Sequence, residues 1–548
     1  MKNSRKLMIW LPVAAAVMFA GGWWAGRAMM QRGGGWNSSD GKIGTLLGLI
    51  RSQYVDEVNI DSLTEEILPE LMAKLDPHSV YISADELQDV NSELEGSFSG
   101  VGISFSIMED TITVIEVLSG GPAEKVGLLA GDRIVSVNDS LVAGNGVTNQ
   151  GVMKMLRGAK DTRVELGIKR NTSPDLLKFS VTRGDIPVTS IDAAYMIGDS
   201  IGYVKVNKFG RNTDGEFLTA LARLRAQNAC RYIIDLRGNV GGYLDKAILM
   251  ANEFLPAGRP IVMTKGRDGV VEQEVYSDGT GDFRAQEVVV LLDEYSASSS
   301  EIFAGAIQDN DRGLILGRRS FGKGLVQRQI ELPDSSAVRL TVSRYYTPSG
   351  RCIQKTYSLG DNDRYSNEIL ERFYNGEAFH ADSVSFDEKL RFSTSTGRTV
   401  YGGGGIMPDI FIPSDTTNIT SYYINVVNAG LLNKFAFQYT DQNRMRLDGC
   451  KTVAELLEAL PSDDRLLQQF VTFAAQNGVP ARWYYINLSR PLLVNRLKAL
   501  IARDVVGMGG YYDIANRLDN TVAAAIEALD SGKARYPITG SESHLPRP

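Results

Sequence analysis

Residues 296–310 read SASSSEIFAGAIQDN and crowd four serines onto the point where the apolar run EVVVLLDEY gives way to a helical pattern. Ser298 and Glu301 have the spacing of a capping box, S-x-x-E, so one hydroxyl has a plain use as a helix cap. The same place suits a nucleophile, because a helix N-terminus offers free amides and a positive field. A serine hydroxyl needs a base. The three histidines, His78, His380 and His544, lie far apart, and none stands in a serine–acid pattern. The other chemistry is a lysine kept neutral by burial. RSFGKGLVQRQIEL, residues 319–332, offers Lys323 between Gly322 and Gly324. In an extended segment Lys323, Leu325 and Gln327 face the same way, which lets Gln327 orient the amine. A third segment, DLRGNVGG at 235–242, ends a strand on Gly238, Gly241 and Gly242. Such a turn aims backbone N–H groups at a developing oxyanion. Taken singly, each has a bland reading: a solvated loop lysine, a surface amide, a left-handed glycine turn.

These segments need a frame to bring them together. IGYVKV, RYIIDLR, VVVLLD and GLILG are short apolar runs of the buried-strand kind, separated by helical patterns such as DGEFLTALARLRAQN. That alternation predicts an α/β core over residues 186–417. Residues 96–185 carry short strands and turns around one helical piece, VTNQGVMKML, and read as a separate β-rich domain. Helical periodicity dominates residues 43–95 and 418–531. Residues 32–42 read as a flexible linker and residues 532–548 as a disordered tail.

The chain has 548 residues and a net charge of -7, with no basic stripe, which argues against nucleic-acid binding. Cys230, Cys352 and Cys450 form no CxxC pair, and the histidines do not cluster, so neither a disulfide framework nor a metal site is expected. Lys2, Arg5 and Lys6 precede the uncharged stretch LMIWLPVAAAVMFAGGWWAG at 7–26. A run of about 20 such residues spans the hydrocarbon core of a bilayer. Residues 1–31 are therefore expected to be a transmembrane signal-anchor, with the start in the cytoplasm and the body exported to the periplasm of a Gram-negative cell. Cleavage of the segment would leave a secreted body instead.

The order DLRGNVGG, SASSSEIFAGAIQDN, GRRSFGKGLVQ, GGGGIMPD resembles the carboxyl-terminal processing (tail-specific) peptidases, serine endopeptidases with a serine–lysine pair. Upstream, LDPHSVYIS (75–83) and GSFSGVGISF (96–105) are similar to the segment leading into that family's single PDZ domain. The resemblance covers residues 43–415. It implies a multidomain α/β protein: a crotonase/ClpP-like α/β protease core, an inserted β-rich PDZ domain, a helical N-terminal segment and a helical C-terminal domain. Position by position it implies Ser298 as nucleophile, Lys323 as base, Gln327 as its partner, and an oxyanion hole from the amides of Ser299 and Gly241, with Gly242 the less favoured glycine. Ser299 and Asn239-Val240 depart from the family's usual residues without altering the chemistry. His78 in DPHS matches a recurring position and is expected to be structural. No metal or organic cofactor is expected.

Gly100, Val101, Gly102 and Ile103 are the stretch most like a PDZ carboxylate-binding loop, after which a peptide adds as a strand. The expected partners are proteins or peptides with exposed C-termini, the membrane, and a homo-oligomer or adaptor. Two rivals remain: a membrane-tethered PDZ scaffold with an inactive or partner-dependent protease core, and a thioester-processing enzyme of related architecture. The intact serine, lysine and glutamine argue against the first, and the PDZ-like insert and export against the second.

Overall fold

A computed structural model describes residues 39–92, 95–118, 120–170 and 173–538. The expected anchor at 7–26 lies outside them. Among the described residues no helix is long and apolar enough to cross a membrane. The described residues fall into two compact units, divided between Leu75 and Asp76.

The first unit contributes helices Ser39–Gln53 and Ile60–Met72. Asn59 caps the second, its side chain accepting the Asp61 and Ser62 N–H groups. The expected linker thus already ends in helix at residues 39–42.

In the second unit the centre is a six-stranded sheet in the order Ile191–Ile197, Ile201–Val206, Arg231–Asp235, Glu287–Leu292, Leu314–Gly317, Ile410–Phe411. The first pair is antiparallel and the rest are parallel. Both faces are covered, so the run VVVLL at 288–292 is wholly buried. Val288, Val290 and Leu292 pack toward Phe217, Leu221 and Phe303 of the helices on one face. Val289 and Leu291 point the other way, toward Val522, Ala525 and Leu529. Those three belong to helix Asn520–Asp530, which therefore completes the α/β core. The expected helical domain at 418–531 is smaller than its periodicity implied: the helices between Ser421 and Ala515 gather round a core of their own. Beyond the last helix Ala534 and Ile538 are buried, and the Ile538 N–H donates to the Asp311 carbonyl at 2.9 Å. The expected disordered tail is ordered at least to residue 538.

A second, antiparallel sheet holds Val80–Ile82, Ala337–Tyr346, Pro260–Lys265 and Val271–Tyr276, with Leu325–Glu331 also paired to Ala337–Tyr346. Residues 43–95 are thus not helical throughout. VYI at 80–82, rich in strand formers, joins the core sheet beside Ala337, Val338 and Arg339.

The region expected to be a PDZ domain is an antiparallel sheet in the order Ile103–Met108, Thr111–Val117, Arg133–Val137, Arg163–Lys169, Leu177–Thr182. Strands Ser97–Gly100 and Gly184–Pro187 pair at its neck, so the insert leaves and re-enters the core at one place. Ile103–Met108 is an edge strand, with helix Asn149–Leu156 in the same domain.

Candidate active site

The four serines have different surroundings. Ser296, Ser299 and Ser300 are buried, and each hydroxyl donates to the backbone of the glycine turn: Ser296 to Leu236 at 2.9 Å, Ser299 to Gly242 at 2.9 Å, Ser300 to Asn239 at 2.8 Å. They knit the two loops together. Ser298 alone of the four stays partly open. It precedes helix Ser299–Asp309 with φ 56 and ψ -114, a backbone conformation that a β-carbon disfavours. The capping box forms, and the Glu301 carboxylate takes the Ser298 N–H at 2.9 Å.

Glu301 does more than cap. It is wholly buried and also accepts the Ser320 hydroxyl, the Gly322 N–H at 2.7 Å and the Lys323 N–H at 2.9 Å. One carboxylate therefore ties the serine loop to the lysine loop. Burial pushes its carboxyl up to about 7, while those donors pull the other way. The Tyr345 hydroxyl donates to the Lys323 carbonyl and also reaches the Ser298 carbonyl at 3.1 Å.

Lys323 lies just before strand Leu325–Glu331, half-buried. Burial, with Arg339 nearby, holds its ammonium below the usual lysine range, against the opposing pull of Glu301 and Asp76. Gln327 sits past a bulge between Val326 and Gln327, and its Nε2 donates to Thr341 Oγ1 at 3.2 Å. Ser298, Ser299, Lys323, Gln327, Gly241 and Gly242 all line one cleft of about 1200 Å³. Val240, Leu244, Ile302, Leu325 and Val326 supply its apolar wall. Gln150, Met153, Lys154 and Arg157, from the PDZ helix and its end, line the same cleft. His78 lines it too, its Nε2 2.9 Å from the Tyr365 hydroxyl, and burial together with Lys323 lowers its pKa to about 4.

The glycine turn is anchored by Asp235, whose buried carboxylate accepts the Tyr203 hydroxyl at 2.7 Å and pairs with Arg237. Gly241 presses on the serine: a β-carbon there would fall 2.7 Å from Ser298 Cβ. Its N–H, expected to face the oxyanion, instead donates to Asn239 Oδ1 at 2.9 Å. Phe209 takes the carbonyl of Gly241 and the N–H of Tyr243, a parallel bridge that turns the peptide groups of Gly242 itself away from Phe209. The Gly242 carbonyl meets Ser299 Oγ there, and among the described residues neither the Gly242 nor the Ser299 N–H has an acceptor. In this conformation Gly242, rather than Gly241, is the glycine with a free amide beside Ser299.

Sequence reasoning passed over helix Asn362–Tyr374, which grips the lysine loop from behind. Arg372 donates to the Ser320 carbonyl at 2.8 Å and the Phe321 carbonyl at 3.1 Å. Its amphipathic spacing was visible, but nothing in the chain order tied it to Lys323.

Gly100, Val101, Gly102 and Ile103 do not line the cleft. They lead into the PDZ edge strand. The Val101 carbonyl takes the Ala123 N–H at 2.8 Å and the Gly102 carbonyl the Leu118 N–H at 3.0 Å. Among the described residues the Val101 and Gly102 N–H groups have no backbone acceptor. Nor do any described residues gather three His, Cys, Asp or Glu side chains able to hold a metal.

Residues 99–182 match the PDZ domain, residues 200–361 peptidase family S41, and residues 422–507 a family of unknown function. The carboxy-terminal-processing protease of Bartonella bacilliformis is 35% identical over 320 residues, which cover 57% of this chain and 72% of that protein. The carboxy-terminal processing protease CtpB of Bacillus subtilis is 32% identical over 317 residues, covering 57% and 65%. Among solved structures, the photosystem II D1 C-terminal processing protease aligns with 56% of this chain and 83% of its own at 30% identity, with a TM-score of 0.34. With an S41 core, an inserted PDZ domain and these relatives, the chain belongs to the carboxy-terminal processing proteases of peptidase family S41 and is a serine-type peptidase.

Proposed function

We propose that this protease cleaves peptide bonds through Ser298 as nucleophile, Lys323 as its base and Gln327 as the residue that orients the lysine. One observation carries the reading: of the four clustered serines only Ser298 is partly exposed, and it lines the cleft that Lys323 and Gln327 also line. Neutral Lys323 takes the hydroxyl proton and Ser298 attacks the scissile carbonyl. The tetrahedral oxyanion receives the Ser299 N–H and an N–H from the glycine pair, Gly242 as the turn stands here. The resulting ammonium protonates the leaving amine, and water then releases the acyl-enzyme. Among the described residues no hydrogen bond joins Lys323 Nζ to Ser298 Oγ.

The PDZ domain captures protein C-termini in this reading. Its edge strand Ile103–Met108 accepts an added strand, and the Val101 and Gly102 amides, which have no backbone acceptor among the described residues, receive the terminal carboxylate. The PDZ helix reaching the catalytic cleft supports a link between capture and cleavage. The hydrophobic segment at 7–26 supports a signal-anchor that holds the exported body at the periplasmic face of the membrane.

The test is cleavage of an unfolded protein with an apolar C-terminus by the full-length chain, alongside Ser298→Ala and Lys323→Ala. Activity lost in both variants supports the serine–lysine mechanism. Equal cleavage by all three rejects it. A substrate with a blocked C-terminus should be cleaved with raised KM, and equal cleavage of blocked and free substrate rejects capture by the PDZ domain.

A further inference from the structure

The DPHS segment takes no part in the chemistry above, yet it lies directly behind it. Asp76 is buried, and its carboxylate accepts the Ser79 hydroxyl at 2.5 Å, the His78 N–H at 2.9 Å, the Ser79 N–H at 3.1 Å and the Thr341 hydroxyl at 2.9 Å. The Thr341 N–H in turn donates to Ser79 Oγ at 3.0 Å. Thr341 is the cross-strand partner of Gln327, and strand Val80–Ile82 runs beside the same long strand.

We infer that Asp76 and Thr341 are positioning residues for Gln327, and through it for Lys323. An ionised carboxylate only accepts hydrogen bonds, so the Thr341 proton is committed to Asp76. The Thr341 oxygen is then left as an acceptor, and Gln327 Nε2 donates to it. A glutamine amide is nearly the same shape after a half-turn. Without the relay, Gln327 could present its NH₂ to the lysine amine as readily as its oxygen. Asp76 removes that degeneracy through Thr341: the NH₂ is held at the threonine, and the amide oxygen remains for Lys323.

Charge points the same way. Burial pushes the Asp76 carboxyl up, but the hydrogen bonds from Ser79, His78 and Thr341 outweigh it and keep the group ionised. Glu301 and Asp76 raise the lysine pKa, whereas burial and Arg339 lower it. His78 and Tyr345 also border this pocket, and both are neutral near pH 7, the histidine with a pKa lowered to about 4 and the tyrosine raised.

This inference rests on Ser298, Lys323 and Gln327 being the catalytic set, and the test separates the two. Thr341→Val, Thr341→Ser and Asp76→Asn are made in the full-length protein, Thr341→Val also combined with Gln327→Ala. Folding is checked by melting temperature, and kcat and KM are read on the unfolded substrate. Thr341→Val keeps shape but loses the hydroxyl, and should lower kcat about tenfold with little change in KM. Thr341→Ser should restore it. In the Gln327→Ala background, Thr341→Val should cost nothing further. Asp76→Asn removes a negative charge, so the lysine pKa falls and the acid limb of kcat/KM moves to lower pH; Thr341→Val should leave that limb in place.

Wild-type kcat in folded Thr341→Val overturns the inference, as do losses that multiply with Gln327→Ala. Should Asp76→Asn fail to fold, the threonine pair decides alone. Activity surviving in Lys323→Ala would instead overturn the catalytic assignment on which the inference stands.

Discussion

The Glu301 carboxylate accepts the backbone N–H of Lys323 at 2.9 Å, with the same oxygen that accepts the Ser298 N–H at the same distance. A single side chain thus fixes the separation of the two loops that carry the proposed nucleophile and base. Glu301→Gln keeps the shape and turns one acceptor into a donor. It should leave buried N–H groups unpaired, at a cost of about 1–3 kcal/mol, and lower kcat more than it alters KM. Steady-state kinetics with a melting curve would check both.

Glu301 also predicts a pH dependence. Its folded pKa is raised from 4.5 to about 7, so between those values the folded state binds the proton that the unfolded state has lost. The stability this group contributes is complete below pH 4.5 and declines as pH rises toward 7. Wild type should therefore lose stability relative to Glu301→Gln across that window. Denaturant midpoints measured at both ends would test it, and parallel curves would contradict it.

Gly241 has no room for a side chain. A β-carbon would lie 2.7 Å from Ser298 Cβ and 2.9 Å from the Ala297 carbonyl, and its φ is +103. Gly241→Ala should abolish labelling by a serine-reactive fluorophosphonate, in addition to a backbone cost of about 1–3 kcal/mol. Gly238 also has positive φ, +72, but open space around it. Gly238→Ala should pay only the backbone cost and retain labelling. Equal labelling of the two variants would show that the close contact is unimportant.

Arg372 holds the carbonyls of Ser320 and Phe321 and pairs with Glu368. Arg372→Met should free the lysine loop, lowering kcat with modest loss of stability, about 1–3 kcal/mol. An unchanged kcat would assign the helix Asn362–Tyr374 a purely architectural role.

The last helix should behave as part of the protease core. Leu529 is 2% exposed against Val289 and Leu291. Leu529→Ala should cost about 2–5 kcal/mol. Thermal unfolding read by core tryptophan-free signals such as far-ultraviolet circular dichroism would register it.

Much of the site was legible in the chain. The pattern SASSSE beside an apolar strand, the lysine between two glycines and the glutamine four residues on stand out by residue type and spacing, which local geometry governs, although the bulge between Val326 and Gln327 breaks the strict alternation expected there. The alternation of apolar strands and helices foretold an α/β core for the same reason. The motif order then pointed to the family. Periodicity, however, reports only that a helix has an apolar face, not what covers it. Asn520–Asp530 therefore looked like its neighbours, although it packs on the sheet of the core while they pack on one another. DPHSVYIS was read with the helices before it for the same reason, since its strand exists only through pairing with residues 337–339, far along the chain.

Which serine is open, which glycine amide is free, and what lies behind the lysine are decided by contacts between distant segments. Ser296, Ser299 and Ser300 differ from Ser298 only because their hydroxyls meet Leu236, Gly242 and Asn239 across the fold. Asn239 claims the Gly241 N–H, and Phe209 turns the next peptide the other way. The sequence supplied residue types able to do acyl-transfer chemistry. Their hydrogen-bond partners belong to tertiary structure, because each buried donor must find its acceptor wherever the fold puts one.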